Sequence, residues 1–385
     1  MADAAAARRV RLLLIAAGAL LLAEALNHLL PGRTPPVSDF DVFHLAGRLV
    51  WRGQLALAYD YGEFGRLQTL LRGRADNLTF GYPPPYGLVV APLGLLPLGA
   101  AWLLFMATTL AAWLWCLVRL AGDRAATALM VALAPLYINL VAGQNGFLTG
   151  ALLGLACVGL LRGHAWAGVP LGLMVIKPQL ALGLGLYVLA SRNWRVAAVA
   201  VATAAAACGL ATLVLGVGMW PAFLAGVGEQ GAMMARGLYR FYRMQTPFAI
   251  AMSLHLPKGA ALAVQAGAAL AAAGLVIAAV RRCQPATAIG LAVLAGPCFS
   301  PYGYDYDLPQ LVVGLALLAG PASMLPAWMA RGALLCLPAS ALWSLACLLA
   351  LPATAGPGQW PVAVGALASL ACLALLGPAL VQRGA

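Results

Sequence analysis

Charge is what this sequence has least of. Only 9% of its residues are Asp, Glu, Lys or Arg, against about a quarter in an ordinary soluble domain. Eleven residues are acidic and two, Lys177 and Lys258, are lysine. A chain so poor in polar groups cannot coat a water-facing surface, which excludes a soluble globular protein. The eight cysteines (116, 157, 208, 283, 298, 336, 347 and 372) form no Cys-x-x-Cys pair and no Cys/His ligand spacing. They lie in or beside apolar runs and read as small core residues rather than disulfides or metal ligands. There is no internal repeat, no separate soluble domain and no glycine-rich nucleotide loop.

What is present is apolar and long. Residues 12–23, 99–118, 125–161, 196–228, 259–280, 283–304 and 332–382 carry no charge. About 20 apolar residues suffice to cross the hydrocarbon core as a helix, and these runs lack the short alternation of membrane strands. The net charge of +12 is not a nucleic-acid signature, because the basic residues sit at span ends: Arg8, Arg9 and Arg11, Arg119 and Arg124, Arg192 and Arg195, Arg281 and Arg282, Arg331, and Arg383. That distribution marks cytoplasmic ends. The expected fold is an all-α polytopic membrane protein with about 10–12 transmembrane helices, read as one domain over 1–385 with both termini cytoplasmic. The basic, apolar start resembles a signal peptide, but Glu24, Asn27 and His28 follow without a small-residue cleavage pattern, so it reads as an uncleaved first span.

The trace places a polar loop outside at 31–80, holding Asp39, Asp41, Asp60, Glu63 and Asp76, and a second external loop at 217–247. Residues 83–97 are too short and proline-broken to cross and return. The apolar stretch 167–190 has basic residues at both ends and Lys177-Pro178 in the middle, which predicts two half-helices lining a cavity.

Five clusters could carry chemistry. From residue 42, the first loop predicts a helix on the membrane surface, with Val42, Leu45, Ala46, Leu49 and Val50 on its apolar face and Arg48 and Arg52 opposite. Asp39 or Asp41 would cap it or act as a general base toward a hydroxyl. Tyr82, beside three prolines, marks a rigid interfacial loop. Lys177 is an intramembrane charge, a functional-site signal by default, suited to a lipid phosphate with Gln179 nearby. Arg236, Arg240 and Arg243 fall at i, i+4 and i+7, on one helix face among aromatics; outside, against the positive-inside trend, they either bind a phosphorylated lipid or mark an error in the trace. Tyr304, Asp305 and Asp307 pair aromatics with carboxylates, as sugar subsites do.

Taken in order, these segments resemble the GT-C class of membrane glycosyltransferases, and more closely glycosyltransferase family 87 (DUF2029), which includes polyprenol-phosphate-mannose-dependent α-mannosyltransferases. The resemblance rests on Asp39-Phe40-x-Val42-Phe43 with Gly53 and Tyr59, Tyr82-Pro83-Pro84, Gly143-Gln144-Asn145, Lys177-Pro178-Gln179, and Ser300-Pro301-Tyr302 with its trailing acids. It implies inverting transfer of a hexosyl group, mannosyl in relatives, from a polyprenyl-phosphate donor to a lipid or glycan acceptor on the periplasmic face of a bacterial inner membrane. It places the base on Asp39, with Asp41 as rival. Lys177, Arg236, Arg240 and Arg243 become phosphate ligands, and Tyr82, Gln144, Asn145, Gln179, Tyr304, Asp305 and Asp307 substrate contacts. Actinobacterial members tend to carry histidines in the loop matching 300–307, where this chain has Tyr and Asp. No cofactor is implied; a divalent metal is possible but no cage of acids indicates one. A transporter or lipid flippase is the rival class, suited by the broken helix and buried lysine but not by the missing repeat symmetry.

Overall fold

The computed structural model describes residues 2–30, 38–72, 78–322, 324–351 and 359–384; Asp76 lies outside them. Among the described residues no strand occurs, only one isolated antiparallel bridge between Met244 and Tyr304. In chain order the helices are α1 (Ala2–Leu29), α2 (Asp39–Trp51), α3 (Tyr61–Arg72), α4 (Pro84–Val90), α5 (Leu98–Ala121), α6 (Ala125–Ala142), α7 (Gly146–Leu161), α8 (Gly168–Leu173) and α9 (Leu182–Ala190). They continue as α10 (Trp194–Leu215), α11 (Met219–Ala235), α12 (Pro247–Ser253), α13 (Lys258–Arg282), α14 (Pro285–Leu294), α15 (Leu308–Ala322), α16 (Ala327–Ala350) and α17 (Val364–Arg383).

Six stretches of the described residues are long and apolar enough to cross a membrane: Ala4–Leu29, Leu98–Ala142, Trp194–Leu215, Lys258–Arg282, Ala327–Ala350 and Val364–Arg383. The second contains both α5 and α6, which pack on each other after a turn at Gly122, where φ is +52°. The protein is therefore a polytopic all-α membrane protein. The crossings expected at 146–162, 286–300 and 307–320 are helices of 16, 10 and 15 residues, shorter than the roughly 20 of a full span. α7 and α15 are central, with nearly every residue buried, and their N-termini stop inside the bundle. The segment 167–190 breaks at Lys177-Pro178 into α8 and α9, each extended toward the break by a 3-10 turn.

Two expectations change. The stretch 217–247 is not simply a loop, since α11 occupies Met219–Ala235. Gly216, with φ at +89°, ends α10, so the apolar run through 228 becomes two helices. The first-loop helix begins at Asp39 rather than 42, and its apolar face does not rest on lipid. Phe40, Val42, Phe43, Leu45, Ala46, Gly47 and Leu49 are buried in protein against α4, the 3-10 turn that follows it, and α5. Trp51 Nε1 donates to the Ala91 carbonyl at 2.7 Å, and the His44 ring contacts the Leu96 carbonyl at 2.9 Å. Gly47 sits directly against the backbone of Val90 and Gly94.

That backbone contact leaves no room for a side chain. Gly47→Ala is expected to destabilise the detergent-solubilised protein by about 1–3 kcal/mol, read as a lower melting temperature. An unchanged melting temperature would mean that α2 is not seated on the 84–95 segment.

Candidate active site

The site lies where α2, α7, α15, the α8–α9 break and the segment before α12 meet. Ser38 is the N-cap of α2, and Asp41 closes a capping box with it: Ser38 N donates to Asp41 Oδ2 at 2.8 Å and Ser38 Oγ at 3.2 Å. Reciprocal satisfaction of helix-end donors is the ordinary role of an acid at that position. Asp41 is thus occupied at the cap, while Asp39, half-buried, lies beside the Gln144 side chain.

Gln144 is held in one orientation. Its Oε1 accepts from Tyr82 Oη at 2.9 Å and from the Asn145 backbone N at 2.9 Å, and its amide, a donor, is left for the Asp39 side. The glycines around it are required by their surroundings. Gly143 caps α6 with φ at +64°, and a Cβ there would meet Ser38 Oγ at 2.8 Å. A Cβ on Gly146 would collide with the Tyr306 carbonyl. Gly-Gln-Asn-Gly is therefore wedged between the start of α2 and the loop before α15.

Lys177 ends a 3-10 turn, with φ at −153° and ψ at 66°, and its side chain is 3% exposed. Its ammonium donates to Asp307 Oδ1 at 2.5 Å and to Asn145 Oδ1 at 3.4 Å, and stands 4.9 Å from the centre of the Tyr306 ring. Gln179, expected as its partner, instead lines a neighbouring cavity with Tyr304 and Asp307. Arg243 forms a two-pronged pair with the fully buried Asp305, Nε to Oδ2 at 2.8 Å and Nη2 to Oδ1 at 2.9 Å. The bridge between Met244 and Tyr304, with Gln245 N donating to the Gly303 carbonyl at 2.9 Å, aligns the two segments for it.

Arg236 and Arg240 do not join this cluster, and the expected three-arginine helix face does not exist. α11 ends at Ala235 in a Schellman arrangement: Gly237, with φ at +75°, donates to Met234 O, and Leu238 N donates to Met233 O. Both arginines are exposed, and the chain between Arg236 and Arg243 is not α-helical. Brought together are Asp39, Tyr82, Gln144, Asn145, Lys177, Arg243, Tyr304, Asp305 and Asp307. Sequence reasoning passed over Tyr306, stacked on Tyr304 with ring centres 5.2 Å apart and in reach of both cations. Its signal was the alternation of Tyr302, Tyr304 and Tyr306.

Burial raises the Asp39 carboxyl above its ordinary value; Arg243, the Gln144 hydrogen bond and Lys177 oppose this, and Asp305 adds to it. Asp305 and Asp307 each have a cation of their own, whereas Asp39 shares both cations at longer range. A carboxyl so placed is suited to accepting a proton. No group of three or more His, Cys, Asp or Glu side chains that could hold a metal occurs among the described residues.

Fold and cluster together define a polytopic membrane protein with a buried cluster of acids and cations where its loops enter the bundle. The model of glycosyltransferase family 87 matches residues 80–301, more than half of the chain, and the chain belongs to that family. It is a glycosyltransferase, in agreement with the GT-C class. The match includes Tyr82, Gln144, Asn145, Lys177 and Arg243; Asp39 lies before it and Asp305 and Asp307 after it. No curated protein and no solved structure matches the chain.

The buried pair yields a test. Asp307→Leu strands the Lys177 charge and is expected to destabilise the protein by about 3–5 kcal/mol, whereas Lys177→Met with Asp307→Leu recovers much of that loss. Melting temperatures in detergent read both; equal losses in the single and double variants would show that the pair is not what the bundle depends on.

Proposed function

We propose that the protein transfers a hexosyl group, mannosyl by analogy with family members, from a polyprenyl-phosphate sugar to a hydroxyl of a lipid or glycan acceptor, with inversion. Asp39 is the general base. The acceptor oxygen attacks the anomeric carbon and its proton passes to Asp39. The bond from that carbon to the phosphate oxygen breaks, and its electron pair leaves with the lipid phosphate. Arg243 and Lys177 stabilise the departing phosphate, which is where fixed cations contribute most. Tyr82 and Gln144 hold Asp39 in place. The donor carries its own activation, so no nucleotide site is needed. Arginines at the span ends support a bacterial inner membrane with cytoplasmic termini and the site on the periplasmic side.

One observation carries this reading. Of the two acids at the start of α2, Asp41 is committed to the cap, while Asp39 faces Gln144 within electrostatic reach of Arg243 and Lys177. A transporter would need neither a proton-accepting carboxyl there nor membership of this family.

The test is transfer of radiolabelled sugar from polyprenyl-phosphate mannose, and then a panel of donors, to native membrane extract. Asp39→Asn keeps the Gln144 contact and is expected to lower kcat by about 10²–10⁴-fold. Asp41→Asn is expected to keep the chemistry and lose about 1 kcal/mol of stability. The reverse pattern would move the base to Asp41, and no turnover with any donor would sink the reading. The pH profile is a separate check. Asp39 must be ionised to accept a proton, so its raised value moves the rising acid limb of kcat/KM above the ordinary carboxylate range. The folded state holds that proton more tightly than the unfolded chain. Wild-type stability therefore falls as pH rises through the folded value, and Asp39→Asn, free of this loss, is expected to melt higher than wild type at neutral pH.

A further inference from the structure

The charged cluster takes none of its acids or cations from α16 or α17, yet one glutamine ties both helices to it. Gln245, 2% exposed, follows Arg243 by two residues, on the segment that pairs with the loop before α15. Its Oε1 accepts from Ser340 Oγ of α16 at 2.7 Å and from Ser369 Oγ of α17 at 2.5 Å, and the two hydroxyl oxygens lie 3.3 Å apart. Its Nε2 donates to the Arg243 carbonyl at 3.3 Å. A carbonyl only accepts, so that contact sets which end of the amide is nitrogen. It leaves Oε1, with two lone pairs, for the two serines.

Residues 332–382 carry no charge, and both serines are buried within them. The two helices approach closely there: a Cβ on Gly365 of α17 would lie 3.1 Å from Ser340 Oγ. Close packing of that kind needs only small side chains, and alanine would serve it. Hydroxyls on both helices aimed at one amide oxygen do what alanine would not, since they fix Gln245 and with it the backbone of Arg243. The other edge of the segment is fixed as well. Gln245 N donates to the Gly303 carbonyl at 2.9 Å and Thr246 Oγ1 to the Pro301 carbonyl at 3.1 Å. Arg243 therefore projects from backbone held on one side by the loop before α15 and on the other by α16 and α17.

We propose that Gln245 is a positioning residue for Arg243, and that α16 and α17 act on phosphate recognition through it. The assignment rests on the reading in which Arg243 meets the lipid phosphate, and adds to it a role for two helices that bring no charge. A phosphate that competes with Asp305 for the guanidinium loosens the ion pair that orients Arg243 at rest. Gln245 has no charge for the phosphate to displace, so it keeps the Arg243 backbone in place while the guanidinium changes partner. An arginine fork recognises phosphate by its geometry as well as its charge. A shift of the backbone beneath it weakens recognition with the charge unaltered.

The test titrates polyprenyl phosphate into purified protein in detergent. Gln245→Met keeps the bulk and removes both polar ends. Ser340→Ala with Ser369→Ala leaves Gln245 in place and removes its anchors, so the test does not depend on one variant folding. Each change is expected to weaken the lipid by about tenfold. Both are then repeated on Arg243→Leu with Asp305→Leu, where the ion pair is removed whole and no charge is stranded. A residue that acts through Arg243 has nothing left to position there, so the affinity is expected to change by less than about twofold. Equal weakening with and without Arg243, or no weakening in protein of wild-type melting temperature, would overturn the positioning role while leaving the donor reading in place. If wild-type protein binds neither polyprenyl phosphate nor any sugar-bearing polyprenyl phosphate, the donor reading falls, and the positioning role with it.

Discussion

A lysine ammonium 3% exposed inside an apolar bundle is tolerable only with a carboxylate against it, and the geometry of the interior follows from that requirement. Asp307 lies 130 residues further along the chain. To reach Lys177, the α8–α9 segment breaks and α15 begins at one place inside the bundle. Asp307 also serves its own turn, since its second oxygen accepts from Tyr304 N at 3.1 Å. The ion pair and the shape of the 304–307 turn are therefore one feature. Tyr306, inside that turn, puts its carbonyl where only a glycine at 146 can face it, which carries the constraint into the start of α7.

The second pair repeats the arrangement with a cation 14% exposed against a fully buried acid. Arg243 with Asp305 and Lys177 with Asp307 are each neutral, so Asp39 is the acid without a cation of its own. Burial pushes Asp39 toward the protonated form and Asp305 adds to it, moderated by Arg243 and Lys177 at a distance. On the proposed reading, an arriving phosphate competes with Asp305 and Asp307 for their cations, and the departing proton has a carboxyl ready for it. The same five charges thus serve the resting bundle and the reacting complex.

Much of this was readable in the sequence because the physics is local. Charge-free runs give helices, and a lysine beside a proline within one gives a break. The capping role of Asp41 was also present in Ser38-x-x-Asp41, a capping spacing, whereas the approach of Gln144 to Asp39 comes from a distant part of the chain. Two things were not local. The partner of Lys177 lies too far along the chain for any periodicity to point to it. The arginine stripe assumed a helix through 236–243, and Gly237 ends that helix by adopting a conformation other residues resist. Spacing alone carries no information about whether the backbone between two residues remains helical.

Why the polar residues gather here follows from where the central helices stop. A full span passes its backbone through the membrane with every amide bonded within the helix. α7 and α15 instead start inside the bundle, and a helix start leaves amides without intrahelical acceptors. Those groups need side chains: Asn139 Oδ1 accepts from Gly146 N at 3.2 Å, Gln144 Oε1 from Asn145 N, and Asp307 Oδ2 from Tyr304 N. Two of the side chains that satisfy these ends also hold the charged cluster: Gln144 Oε1 accepts from Tyr82 Oη as well, and Asp307 pairs with Lys177 through its other oxygen. Stopping helices short inside the bundle is therefore not a defect that the site tolerates. It is what obliges this apolar chain to spend its few polar residues there, and a version with α7 and α15 extended to full spans would have no structural reason to keep them.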